Sequence, residues 1–305
     1  MKVSPPPDSR RDRSSSGRLL RIESLDPQKD CHEIARLFFA DFRSVMLPHG
    51  LKGLLFTFAA PRMSRLLAAT GEFEKRLAKR VVDTILFSHL VLEHGVDEGE
   101  GREAARRVEA MHRRYDIAPD DFLAVGCDEV LSALELAGRY GWRPVSEVEQ
   151  VALRHYHDMK SRAYGSPRPL PPTIAAMQAF WNDYLDSQAR YEPQNERLAA
   201  STLGYFRRLV PRVLRPLAPA ILLSQVDPRI VRACGMHVPS TPSRWLSHRV
   251  FTLAGWRDPT PDTGAEYLAK MAAAVYPEGW RLADLGPDSR EGRKGARPGG
   301  SIRDR

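Results

Sequence analysis

Hydrophobic side chains recur along this 305-residue chain at the spacing of a helix and not at that of a strand. Leu77, Val81 and Ile85 are four residues apart, and Val108 and Met111 form a similar stripe further along. Residues three or four apart share one face of an α-helix. The chain has no alternating strand pattern, no Asn-Gly hairpin pair and no internal repeat. The sequence therefore predicts an all-α fold, and we expect a single multi-helix domain.

Residues typical of helix ends mark several of the predicted helices. Ser146 and Glu149 form a capping box, in which each side chain bonds the backbone N–H of the other residue. We expect Thr70 to cap the helix that contains Arg80, and this helix to end near Gly95. The other predicted helices span residues 31–46, 119–140, 173–191, 193–210, 228–234, 240–254 and 263–275.

Four polar residues lie on or beside apolar helix faces, so we expect them to be at least partly buried. Arg80, Asp83 and Thr84 occupy positions i, i+3 and i+4, so we expect them to point the same way. In the next predicted helix, His112 follows the apolar Val108 by four residues. Buried polar groups need partners. An imidazole in such a position either forms an internal hydrogen bond or binds a ligand, and the spacing alone leaves both interpretations open.

Short motifs that include these residues occur in a fixed order between residues 33 and 287. They are TGE at 70–72, RVVDT at 80–84, MH at 111–112, DDFL at 120–123, YGWRP at 140–144 and YPEGW at 276–280, followed by LGP at 285–287. No motif is specific alone, but their order and spacing together resemble one haem-oxygenase superfamily. It comprises the MpaB-type oxygenases and the bacterial rubber oxygenases (latex-clearing protein), and the chain is most similar to the MpaB-like members.

The resemblance implies an all-α domain whose helices surround a buried haem b. It implies oxidative cleavage of a carbon–carbon double bond in a small apolar substrate, such as an isoprenoid, by dioxygen. By position, His112 would be the iron ligand, and Arg80 would bind the haem. Arg80, Thr84 and Asp83 would be the catalytic residues. The rubber-cleaving members carry a lysine at the position of Asp83, and a carboxylate cannot replace that lysine as a neutral nitrogen ligand.

Each of these residues also has a purely structural interpretation. His112 would be a hydrogen-bonded core histidine, and Arg80 would form a buried ion pair. Thr84 would bond a carbonyl of its own helix, and Asp83 would pair with Arg80 or Lys79. Two further functions remain open on this basis. One is a non-catalytic haem- or lipid-binding protein of the same fold, and the other is a cofactor-free helical interaction protein.

The net charge of +8 is unevenly distributed. Residues 1–21 carry +4 and residues 287–305 carry +3, which leaves +1 for the rest of the chain. A nucleic-acid groove is therefore poorly supported. We expect residues 1–20 and 288–305 to be disordered basic tails around a catalytic domain at 21–287. The tails are candidates for peripheral contact with an anionic membrane surface.

The cysteines and the lengths of the apolar runs indicate the cellular compartment of the protein. Three widely spaced cysteines, Cys31, Cys127 and Cys234, form no CxxC pair and favour a reducing compartment. We see no signal peptide and no run of about 18 apolar residues. These features favour a cytoplasmic protein without a transmembrane segment, and they leave its oligomeric state open.

Overall fold

A computed structural model of the chain describes residues 11–256 and 262–287. Within these ranges the secondary structure is helical, without a strand, which confirms the all-α prediction. The described α-helices are α1 (Arg11–Glu23), α2 (Cys31–Asp41), α3 (Leu47–Ala59), α4 (Pro61–Thr70), α5 (Glu72–Lys75), α6 (Leu77–His94), α7 (Gly99–His112), α8 (Pro119–Tyr140), α9 (Glu147–Ala163), α10 (Ile174–Gln188), α11 (Pro193–Leu209), α12 (Ala218–Leu223), α13 (Pro228–Ala233), α14 (Thr241–Gly255) and α15 (Asp262–Ala273).

Two clusters of buried hydrophobic side chains form the interior, and α8 contributes to both. One cluster lies among α2, α6, α7, α8 and α9 and includes Phe38 and Leu86. The other lies among α3, α10, α11, α12 and α13 and includes Phe58 and Leu198. The indole ring of Trp181 in α10 packs against both clusters. The two halves of the described chain therefore share one continuous apolar interior.

The YGWRP motif supplies a buried cation that joins α2 to α9. The Arg143 guanidinium lies 2.7 Å from an Asp41 carboxylate oxygen and 2.6 Å from one of Glu149. Glu149 also completes the predicted capping box with Ser146 at the start of α9, which confirms that prediction. The Trp142 indole N–H donates to the carbonyl oxygen of Asp41 at 3.0 Å. The motif thus holds α2 against α9 through buried polar contacts.

The start of the Arg80 helix differs from the sequence prediction. Thr70 is the last residue of α4, and its hydroxyl donates to the carbonyl oxygen of Leu67 at 2.6 Å. Gly71 ends α4 with a φ of 67°, a backbone conformation that favours glycine. The short helix α5 follows, and α6 begins only at Leu77. The prediction that Thr70 caps the Arg80 helix was wrong because the chain turns twice between these residues.

Part of the predicted amino-terminal tail is helical. Helix α1 begins at Arg11, inside the stretch 1–20 that its Ser/Arg-rich composition marked as disordered. Arg18 forms an ion pair with the buried Asp41 at 2.5 Å, and Ile22 is fully buried. These tertiary contacts stabilise a helix that composition alone does not predict. Residues 1–10 and the predicted tail at 288–305 lie outside the described residues.

The described helices differ in length and polarity, but none of them combines the length and the apolar composition that crossing a bilayer requires.

Candidate functional site

His112 is the last residue of α7, and its half-buried side chain lies between the start of α8 and the end of α9. Its Nδ1 is 2.8 Å from the carbonyl oxygen of Tyr164. A carbonyl only accepts, so Nδ1 carries the proton and Nε2 keeps its lone pair. The Phe122 ring packs edge-on, with centroids 5.5 Å apart. Nε2 forms no hydrogen bond with any residue in the described ranges.

The surroundings of His112 favour the neutral imidazole. Burial lowers its pKa below the usual value, and the nearby positive charge of Arg80 lowers it further. The hydrogen bond to the Tyr164 carbonyl acts in the opposite direction but is outweighed. A neutral imidazole with an unprotonated nitrogen is the form that binds a metal ion.

Arg80 and Thr84 lie together on α6, as the helical spacing predicts. The Arg80 guanidinium donates to the Thr84 hydroxyl oxygen, and it lies over the Phe73 ring, 5.2 Å from the centroid. The Thr84 hydroxyl donates to the carbonyl oxygen of Arg80 at 2.9 Å, which is the back-bond expected as its structural role. Arg80 forms no ion pair with an acid in the described part of the chain. Its guanidinium therefore remains available to an anionic ligand.

Asp83, one turn along α6, has other partners. Its buried carboxylate accepts hydrogen bonds from the Lys79 ammonium at 2.7 Å, from the Gly286 backbone N–H at 2.9 Å and from the Tyr276 hydroxyl. The pairing with Lys79 was one of the alternatives expected from the sequence. The other two contacts join residues about 200 positions apart, so no local pattern signals them. None of the hydrogen bonds of Asp83 goes to Arg80.

The segment 276–287 packs across both helices that carry site residues. On α6, Lys79 donates to the carbonyl oxygens of Asp284 at 3.1 Å and Gly286 at 2.8 Å. On α7, Arg107 donates to the carbonyl oxygen of Leu285 at 2.8 Å. Gly286 also approaches Met111, the neighbour of His112, closely enough that a Cβ there would lie 2.9 Å from its sulfur. Lys79 and Arg107 were not predicted as functional, although the YPEGW motif pointed to this segment.

A second buried polar cluster lies beside Tyr164, the residue whose carbonyl oxygen contacts His112. Glu129 of α8 accepts from the Lys160 ammonium at 2.8 Å and from His157 Nδ1 at 3.1 Å, both on α9. Burial opposes ionisation of Glu129, but the charge of Lys160 and the His157 contact outweigh it and lower its pKa. The Lys160 ammonium lies 5.5 Å from the centroid of the Tyr164 ring. The cluster thus anchors the end of α9 that presents the Tyr164 carbonyl to His112.

These groups fit a haem better than a metal ion held by protein ligands alone. Among the described residues, no group of three or more His, Cys, Asp or Glu side chains converges as a metal cage. A single histidine with Nδ1 bound to a carbonyl and Nε2 free is instead the donor that haem iron takes from a protein. The unpaired Arg80 guanidinium adds a cation suited to a carboxylate.

Comparisons with known proteins identify the family of the chain. The family model "ER-bound oxygenase mpaB/B'/Rubber oxygenase, catalytic domain" matches residues 36–256. The chain is 22% identical over 254 residues to the ER-bound oxygenase mpaB' of Penicillium brevicompactum, an alignment covering 75% of this chain but only 59% of that protein. It is 21% identical over 238 residues to the ER-bound oxygenase mpaB of Penicillium roqueforti (strain FM164), covering 72% of this chain and 78% of the relative.

Proposed function

Because the chain belongs to the family of the mpaB/B' and rubber oxygenases, we propose that it is a haem-dependent oxygenase with His112 as its iron ligand. The observation that carries the proposal is the hydrogen bond from His112 Nδ1 to the Tyr164 carbonyl, which leaves Nε2 free. A metal-binding histidine commonly donates its other N–H to such an acceptor, and this raises the basicity of the binding nitrogen. Bound haem b would supply the dioxygen chemistry that cleaves a carbon–carbon double bond of an apolar substrate, isoprenoids included.

The residues around His112 would bind and orient the cofactor. The Arg80 guanidinium, held by Thr84 and by the Phe73 ring, would pair with a haem propionate. The Phe122 ring beside the imidazole would exclude water from that face of the ring. Asp83 would contribute indirectly, because it fixes the segment 276–287 over α6.

Replacement of His112 tests the proposal directly. We expect the wild-type protein, expressed with a haem precursor, to show a Soret band and about one haem per chain in a pyridine haemochrome assay. The His112→Ala variant should lose both signals, since it lacks the nitrogen that binds iron. His89→Ala is the matched control, because His89 is also half-buried, lies on the neighbouring helix α6 and has no role in the proposed site.

A rescue experiment separates iron binding from folding. Added imidazole should restore the Soret band to His112→Gly, because the free ligand fills the space that the side chain leaves. Helical circular dichroism should remain unchanged in all three variants. Wild-type haem content and an unchanged spectrum in His112→Ala would refute the assignment of the iron ligand.

A second candidate function is haem binding without oxygenase chemistry. It is favoured by Asp83, which stands where rubber-cleaving relatives carry a lysine and whose carboxylate is occupied by Lys79 and the segment 276–287. Haem-loaded protein that consumes oxygen and yields carbonyl products from an isoprenoid substrate would support the oxygenase. Haem-loaded protein without oxygen consumption on any apolar alkene would support the second candidate.

A further inference from the structure

The positive charge of the folded part of the chain is concentrated in one region. Residues 197–256 contain nine arginines and a single acid, Asp227. Their net charge of +8 equals that of the whole chain. The net charge of residues 22–286 is only +1, because acids elsewhere in that range offset the arginines of this region. The net charge of the whole range therefore did not reveal them. Surface arginines at this density require an explanation of their own.

Within this region, residues 207–217 expose apolar and cationic side chains side by side. We call this stretch the docking segment. It joins the end of α11 to the start of α12 and includes a short 3-10 turn at Arg212–Leu214. Its apolar side chains are unusually accessible, with relative exposures of 84% for Val213, 48% for Leu217, 43% for Leu214 and 37% for Leu209. Single exposed apolar residues are ordinary, whereas four within nine residues form a candidate interaction surface.

The arginines of the docking segment are not neutralised by neighbouring acids. The side chains of Arg207, Arg208 and Arg212 are exposed, and none forms an ion pair with an acid in the described ranges. Some exposed arginines elsewhere do find such partners, as in the pair of Arg65 with Glu192 and that of Arg197 with Glu74. The unpaired guanidinium groups are therefore available to external anions.

The docking segment is held in a fixed conformation. Arg215 donates to the carbonyl oxygens of Arg208 at 2.9 Å and Val210 at 3.2 Å, which closes the turn from inside. Ala218 and Leu222 of α12, which follows the segment directly, are buried in the apolar interior. The exposed side chains are thus displayed on a fixed loop, so little conformational entropy is lost on binding.

We propose that the docking segment binds the surface of an anionic phospholipid bilayer. Val213, Leu214 and Leu217 would enter the interface, where their apolar surface leaves water, while the arginines pair with lipid phosphates and carboxylates. A nucleic acid is disfavoured because the segment has no aromatic side chain on which a base could stack. The inference rests on this surface alone and is independent of the proposed haem site.

Vesicle flotation of the full chain tests the proposal. We expect binding to phosphatidylcholine vesicles that contain about 30% phosphatidylserine, weak binding to phosphatidylcholine alone, and weaker binding at high salt. The triple variant Arg207→Gln, Arg208→Gln, Arg212→Gln should bind the anionic vesicles at least about tenfold more weakly, since each basic residue near the surface contributes about fivefold. Val213→Ser should also weaken binding, but with an unchanged salt dependence.

A matched control removes the same charge elsewhere. The control variant replaces three exposed arginines on and just after α7 with glutamine, namely Arg102, Arg106 and Arg114. The basic tails stay intact in both triple variants. The control should bind like the wild type. Equal binding by the two triple variants, no binding of the wild type to anionic vesicles, or binding of RNA without binding of vesicles would each overturn the proposal. Haem content of the same preparations reports separately on the His112 site.

Discussion

At the scale of single residues, the structure divides a polar face that the sequence presents as one. Arg80 and Thr84 bond each other beside the His112 site. Asp83 shares their helix and is buried, but its hydrogen bonds go to Lys79 and to the carboxyl-terminal segment. Helical spacing places side chains on a face, whereas the neighbouring elements decide which partners each side chain meets.

We expect loss of the Asp83 carboxylate to lower the stability of the folded protein, because it bonds Lys79 and the segment 276–287. We expect Asp83→Ala to lower the free energy of unfolding in urea by about 3 kcal/mol, because it leaves the Lys79 ammonium without its carboxylate partner. Limited proteolysis should then cleave within residues 276–287 more rapidly. Thr84→Ala on the exposed side of the same helix should change the free energy by less than about 0.5 kcal/mol. An Asp83→Ala variant as stable as the wild type would contradict this account.

Burial is the main cause of the lowered pKa of His112, and the charge of Arg80 should add to it in the haem-free protein. Its positive charge disfavours the imidazolium ion, so Arg80→Gln should raise the pKa of His112. Arg80→Lys keeps the charge and should leave the pKa close to that of the wild type. The pKa can be followed by NMR titration of the His112 ring protons, assigned by their loss in His112→Ala. An unchanged pKa in Arg80→Gln would place the guanidinium too far from the imidazole to act on it.

At the scale of elements, the same Glu149 side chain both caps α9 and binds Arg143. The capping box is a local device, with Ser146 and Glu149 three residues apart. The ion pair with Arg143 is tertiary, because Arg143 also binds Asp41 of α2, 102 residues away. The beginning of α9 and its position against α2 are therefore fixed together.

Removal of Arg143 should destabilise this junction strongly. Arg143→Ala leaves the buried carboxylates of Asp41 and Glu149 without their shared cation, so we expect a loss of about 3 kcal/mol or more in urea unfolding. Arg143→Lys should recover only part of the loss, because an ammonium cannot form paired bonds to two carboxylates. Arg139→Ala removes an exposed arginine paired with Glu135 and should cost less than about 1 kcal/mol. Similar losses for Arg143→Ala and Arg139→Ala would argue against a structural role of the buried pairs.

At the scale of the whole molecule, the apolar interior supports both the His112 site and the docking segment. The His112 site lies where α6, α7, α8 and α9 converge, and the segment 276–287 packs beside it. The docking segment begins in the last turn of α11, which packs against α3, α4 and α6. The candidate haem site and the candidate membrane surface therefore belong to one folded body, and a cofactor variant and a surface variant can be tested independently.

Sequence patterns anticipated much of the helical framework but less of the site. The stretch from Pro119 to Tyr140 is one helix as predicted, because its apolar period and its helix-end residues act locally. The boundary at Thr70 failed because Gly71 ends α4 before the next helix can begin. His112 was selected from its place on an apolar stripe, and its role as a ligand stays a prediction. Lys160 and Glu129 were not selected, since each is an ordinary polar residue in its own helix.

The sequence by itself determined the all-α class, most helix limits and the family, because these depend on spacings within a few turns or on motifs kept in order. Only the tertiary structure decided which groups meet. It joined His112 to the Tyr164 carbonyl 52 residues away and Asp83 to Gly286 203 residues away. It also displayed the arginines at 207–212 next to the exposed Val213. The two long-range contacts depend on how distant helices pack, and this packing is driven by the burial of apolar side chains from several helices at once.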